Sequence, residues 1–238
     1  MKLIYKQIFF VLIPVILFLG LLGMALYYNS TSILRREMDS RIATTSEHIR
    51  ELIIQEIGQI KKEIANILSN DLLNDYFMYL KVGKLDIAED VRARLEESLG
   101  RYAANNTELK IIEILEVNGT GIINIINGRS SFKYTDLSDT VWVKETLRLK
   151  EGEYYISDSF SLEKNNAPGI SVSALYYINH QPQVIIRIAI STQEYFGKIL
   201  KNLAMGERGD IYLVDKNGTI IVHTNQSMVG QNIGHLPS

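Results

Sequence analysis

Residues 8–28 read Ile-Phe-Phe-Val-Leu-Ile-Pro-Val-Ile-Leu-Phe-Leu-Gly-Leu-Leu-Gly-Met-Ala-Leu-Tyr-Tyr, without a charge. A helix needs about 20 apolar residues to cross the hydrocarbon core of a bilayer. The run therefore predicts a transmembrane helix, with Tyr27 and Tyr28 at the level of an interfacial aromatic belt. Pro14 falls in its early turns, where a kink is tolerated in lipid. Gly23, Met24 and Ala25 resemble a cleavage site, but the apolar core of a signal peptide is only about 7–15 residues long. A retained anchor is the reading taken. Lys2 and Lys6 precede the run and Arg35, Arg36 and Arg41 follow it, so the positive-inside rule does not decide orientation. The short leading tail makes an N-inside anchor the simpler arrangement.

Beyond the anchor the apolar period is helical. Met38, Ile42, Ile49, Ile53, Ile57, Ile60, Ile64 and Ile67 recur at steps of three, four or seven, one face of a helix. Residues 33–70 contain no Pro and a single Gly, Gly58. A helix of that length reaches roughly 55 Å. It suits either a dimer stalk or a helix lying along a domain, and the stripe slips between phases rather than keeping strict heptads. Residues 71–80 predict a short second helix carrying Leu72, Leu73, Tyr76 and Phe77. Asp86 with Glu89 resembles a capping box and opens a third helix with Ile87, Val91, Leu95 and Leu99. Asn105 and Asn106 end it.

The period then becomes that of strands. Residues 109–117 and 122–126 are β-branched runs flanking Asn118-Gly119-Thr120-Gly121, a strong hairpin signal. A short helix over 141–149 holds Trp142, the only tryptophan. Strands follow at 154–157, 169–177 and 184–190. Together these predict a five-stranded antiparallel sheet, apolar on both faces and so in need of two covers, the long helix being one. Ser191 with Glu194 reads as another capping box, and Gly206 as the end of the helix it opens. Residues 211–221 then repeat residues 112–122 in register, Asp215-Lys216-Asn217-Gly218-Thr219 against Glu116-Val117-Asn118-Gly119-Thr120. The repeat predicts two similar domains, each opening on the same hairpin. The second has barely begun at Ser238, which reads as a truncated or partial chain.

Charge narrows the function classes. Twenty-five Lys and Arg against 27 Asp and Glu give a formal charge of −2, with no footprint for a nucleic-acid partner. There is no cysteine, hence no disulfide frame and no thiolate chemistry. His48, His180, His223 and His235 are far apart and in no metal-ligand spacing; His223, after a strand, is expected at the surface. No metal or cofactor is predicted. The Asn118–Gly121 turn leads into a strand rather than a helix, so it is not a phosphate-binding loop. No nucleophile–base pair stands out, and the chain is not read as an enzyme.

Taken in order, the anchor, the long helix, the Val-Asn-Gly-Thr hairpin, the Trp142 helix, Tyr155-Ile156-Ser157-Asp158, Pro168-Gly169-Ile170-Ser171-Val172-Ser173 and the stretch from Gly209 to Gly218 leading to His223 resemble the double Cache sensor region of bacterial signal transducers. The resemblance covers nearly everything after Tyr28. It implies an α+β fold with a PAS-like five-stranded sheet. Its implied layout is a tail and transmembrane helix over 1–28, the stalk and short helices over 29–106, a membrane-distal Cache subdomain over 107–205, and the start of a second over 206–238. It also implies a small-molecule pocket in the first subdomain, a homodimer through the long helix, a sensor domain outside the inner membrane, and output through a histidine kinase, a diguanylate cyclase or a chemoreceptor module. Members that bind amino acids carry an Arg-x-Trp-Tyr motif, a later Tyr and Asp, and often an Asp on the last strand. Here Trp142 and Tyr155 match, with Asp158 as the acid. Thr140 replaces the Arg, Val143 the following Tyr, and Ala189 the last-strand acid. The expected pocket is therefore one of aromatics and hydroxyls: Tyr134, Trp142, Tyr155, Asp158, Ser171, Ser173 and Tyr177. It suits a neutral polar ligand and lacks the usual charge clamp for a free amino acid.

Overall fold

A computed structural model describes residues 2–131, 136–162, 167–178, 180–202 and 211–235, with the side chains of 2–17, 202 and 235 excepted. The chain divides into two compact units, Met1–Glu51 and Leu52–Ser238.

The described residues of the first unit lie within helix α1 (Lys2–Leu68). Among the described residues no helix is long and apolar enough to cross a membrane. The side chains of residues 8–17, half of the charge-free run, lie outside that description. The remainder is exposed along its length, including Phe18, Leu22 and Tyr28. Further along, Glu37–Arg41 and Glu47–Arg50 form exposed ion pairs one turn apart, the spacing at which helix side chains meet.

In the second unit the last turns of α1 bury the predicted isoleucine stripe: Ile60 and Ile64 are fully buried and Ile67 nearly so, while Ile53 and Ile57 are half-buried. Helices α2 (Asp71–Lys81) and α3 (Leu85–Asn105) follow. The side chain of Asn70 caps α2 by accepting from the Leu72 N–H at 2.9 Å. At α3 the expected Asp86–Glu89 box is not formed. Lys84 is the cap residue and makes no side-chain bond, and Asp86 lies one position inside the first turn, where a negative charge complements the helix dipole. Glu89 instead pairs with Arg92.

Strands β1 (Leu109–Glu116), β2 (Gly121–Ile126), β3 (Arg129–Ser130), β4 (Tyr155–Ile156), β5 (Phe160–Ser161), β6 (Pro168–Ile178) and β7 (Gln181–Ser191) form one sheet in the order β3-β2-β1-β7-β6-β4, with β5 also on β6. The strand pairs of this sheet are antiparallel. The five predicted strands are all present. The two additions, β3 and β5, are two residues each, too short to give a periodic signal. Alternation assigns the faces. Ile112, Ile114, Ile186 and Ile188, all 0% exposed, share a face with Tyr176, whose ring meets Phe77 of α2 and whose hydroxyl bonds Asn74. This is the helix-covered face. The other carries Glu113, Leu115, Ser171, Ser173, Leu175 and Arg187. It is covered by helix α4 (Val141–Thr146), whose Val143 packs with Leu115, Leu175 and Ile185.

Helix α5 (Thr192–Asn202) follows β7, and the Ser191 hydroxyl accepts from the Glu194 N–H at 3.4 Å, half of the predicted box; Gly206 lies outside the described residues. The hairpin of β8 (Tyr212–Val214) and β9 (Ile220–His223) packs on α5. Its turn repeats two backbone hydrogen bonds of the β1–β2 turn. Glu116 N–H donates to Thr120 O and Gly119 N–H to Glu116 O; Asp215 N–H donates to Thr219 O and Gly218 N–H to Asp215 O. Gly119 and Gly218 both have positive φ, +89° and +76°, the conformation that favours glycine at this position. His223 is not at the surface as expected. It is 5% exposed, stacked on Tyr212, with Nδ1 accepting from the Asn225 N–H.

Candidate ligand-binding site

On the face under α4, strand register lines up one row of polar side chains. Asn124 of β2 is the partner of Glu113 on β1, Glu113 of Arg187 on β7, Arg187 of Ser173 on β6, and Ser173 of Tyr155 on β4. Facing residues in adjacent antiparallel strands sit about 4.5–5.5 Å apart, so this is a continuous polar track across an otherwise apolar sheet. At its centre Arg187 Nη1 donates to Glu113 Oε2 at 2.9 Å, with both side chains only 9% exposed. The Arg187 guanidinium lies 4.5 Å from the Trp142 ring centroid and 4.9 Å from that of Phe160. Two aromatic rings thus cover a buried cation, an arrangement that stabilises it when water is excluded.

The track is not fully satisfied. Arg187 Nε, Ser171 Oγ and Asn124 Oδ1 are buried without a hydrogen-bond partner. Buried polar groups are almost always paired, and these three share one sheet face. Ser171 is 1% exposed and Arg187 8%. By contrast, Ser173 is spent. Thr146 Oγ1 donates to the Trp142 carbonyl at 2.6 Å and also meets Ser173 Oγ at 2.5 Å, which leaves Ser173 as the donor of that second bond. This pins the last turn of α4 to the sheet.

The sequence-derived residues divide. Trp142, Tyr155, Ser171 and Ser173 do come together on or against this face. Tyr177 borders it, packing with Trp142 against the Leu115–Val143–Leu175–Ile185 cluster, and its hydroxyl donates to the Leu149 carbonyl at 2.9 Å. Tyr155 is half-buried, and desolvation, with the Asp158 charge second, pushes its phenol above the ordinary value. Asp158 is exposed and bound to Lys216 of the β8–β9 turn. Tyr134 lies outside the described residues. The sequence reading also missed the central pair. It placed the lost cation and anion at Thr140 and Ala189, whereas Arg187 and Glu113 supply both charges on the same face. Each sits alone among isoleucines, in Ile-Ile-Glu-Ile-Leu and Ile-Ile-Arg-Ile-Ala. A lone charge inside a strand apolar on both faces is the signal that could have found them, since a buried charge requires a partner.

No protein-family model and no curated protein matches the chain. In three dimensions it is similar to the domain of a sensory box/GGDEF family protein from Vibrio parahaemolyticus, with TM-score 0.57 and 17% identity over 78% of this chain and 74% of that one. It is similar too to the extracellular domain of a protein described as a histidine kinase, vpHK1S-Z8, with TM-score 0.56 and 17% identity over 78% and 70% of the two chains. What the chain shares with these two solved domains is the fold. Within this fold the polar track lies on the face opposite α2, beneath one short helix and the segment that carries Phe160. Among the described residues no group of three or more His, Cys, Asp or Glu is placed to hold a metal ion.

Proposed function

We propose that this chain is the extracytoplasmic sensing region of a single-pass bacterial membrane signal transducer, and that it reads a small molecule on the Arg187–Trp142 face. The observation that carries this is the set of orphaned, deeply buried polar atoms, Arg187 Nε and Ser171 Oγ, beneath aromatic rings on a sensory fold. Ligand sites are mostly apolar with a few placed polar groups, and this face has that composition. Residues 8–28 would anchor the chain N-inside in the cytoplasmic membrane. Residues 107–205 form the membrane-distal Cache subdomain and 206 onward the beginning of a second. The long helix carries the homodimer contact, and output runs to a kinase, cyclase or chemoreceptor module.

A thermal-shift screen of the full chain against amino acids, organic acids, sugars, amines and amides tests the sensing reading, because a ligand that binds only the native state raises its stability. Stabilisation by at least one compound, lost in Trp142→Ala, is expected. A screen without any Trp142-dependent compound would favour the alternative of a membrane-anchored interaction module. Protease added to intact spheroplasts tests topology: digestion beyond Tyr28 is expected, and protection reverses the orientation.

A further inference from the structure

We infer that the site recognises an uncharged carbonyl, of the amide or lactam class, rather than a carboxylate; this rests on the sensing reading above. The Arg187 guanidinium has two faces and an edge of donors. Trp142 and Phe160 cover the faces. Glu113 takes Nη1. Of its donors, Nε–H is buried without an acceptor. Ser171 Oγ is a second unspent group on the same face, on the strand beside Arg187, two residues from the Ser173 that pairs with it in register. An oxygen brought to these two would accept from both.

Charge decides which oxygen. Glu113 already neutralises Arg187 across 2.9 Å. A carboxylate would place a second anion against a cation that is already paired and leave the buried site with a net negative charge, which is heavily penalised. A zwitterion would need an acid for its ammonium. Asp158 is the acid the sequence offers for that task, and it is turned outward to Lys216. A neutral amide carbonyl takes both hydrogen bonds and adds no charge. Its flat π-system also suits the rings of Trp142 and Phe160.

The test compares isocaproamide with isocaproate, two molecules differing only in amide against carboxylate, with 2-pyrrolidone as a rigid lactam. Each is titrated to tens of millimolar against the full chain in lipid nanodiscs, with melting as the readout. The amide and the lactam are expected to raise the midpoint and isocaproate to leave it unchanged. Ser171→Ala is expected to weaken the amide roughly 3–10-fold, the size of one hydrogen bond. Glu113→Gln, where it folds, is expected to admit isocaproate by freeing the charge of Arg187. Isocaproate stabilising the wild type as well as its amide overturns the inference. So does an amide shift that Ser171→Ala leaves intact, or no shift with either neutral probe. The sensing reading falls separately, only when the wider screen yields no Trp142-dependent compound.

Discussion

Replacing Arg187 by Met removes the charge while keeping most of the volume between Trp142 and Phe160, and leaves Glu113 buried without its partner. With both side chains 9% exposed, this is a buried pair, and breaking such a pair from one side costs about 3–5 kcal/mol because an uncompensated charge remains. The two lost ring contacts add to it, at about 0.5–2 kcal/mol each. In a domain of this size each kcal/mol moves the melting midpoint by roughly 2–4 °C, so Arg187→Met should lower it by roughly 8–36 °C. Glu113→Leu added to Arg187→Met removes the orphaned carboxylate, and the double variant should recover to near wild type or above it, since apolar replacements of buried pairs are often neutral or stabilising. Melts followed by circular dichroism at neutral pH read all four corners of the cycle. A single variant that loses less than about 1 kcal/mol would behave like an exposed ion pair and refute the burial argument. A double variant no better than the single would refute the role given to the unpaired charge.

The two hairpin turns separate by sterics. Gly119→Ala should cost clearly more than Gly218→Ala in denaturant melts, because a Cβ at 119 falls 2.5 Å from the Ser138 backbone whereas at 218 its nearest contact is Ile233 Cγ1 at 3.2 Å; equal losses would contradict this. Glu63 is held above its ordinary 4.5, first by desolvation and then by Glu56 and Glu108, against the Tyr102 hydrogen bond that lowers it. The native state therefore keeps a proton that the unfolded chain releases, and stability falls as pH rises from 4.5 through the raised value. Glu63→Gln should melt higher than wild type at neutral pH, with the gap closing on acidification; a gap that widens on acidification reverses the sign. Ser159→Ala removes the bond to Asp215 at 2.5 Å, and should speed amide exchange in β8 and β9 while leaving β1 and β7 protected. Uniform loosening of both would place the contribution of Ser159 elsewhere.

Strands, helices and the repeated hairpin were legible because each is written in local period and turn chemistry. The isoleucine stripe, the Asn-Gly turns and the positions of the five principal strands along the chain needed no long-range information. The α3 cap misled because Asp86 and Glu89 have the right spacing but begin one residue inside the helix. Much of the site is set by pairing across strands. Glu113 and Arg187 are 74 residues apart in sequence, and only strand register makes them partners. Phe160 was invisible for a related reason. Its strand is two residues long, and its neighbour in space is the cation of another strand. Thr140 and Ala189 did mark missing charges, but a family motif assigns a charge to a position, whereas the sheet needs it only on the right face and row.

The run from Ser157 to Phe160 is tied at every residue. Ser157 exchanges bonds with Ser171, Asp158 holds Lys216, Ser159 holds Asp215, and Phe160 lies on Arg187. Four residues span at most about 14 Å even when fully drawn out, and with every one anchored there is no slack to take up. The run is held at one end on the Arg187 cation and at the other on Ser171 of β6, and its two middle residues hold the turn of the β8–β9 hairpin. Movement of the Phe160 backbone would strain the neighbouring ties to Asp215 and Lys216. The mechanical path out of the site therefore leaves through four residues at the edge of the sheet.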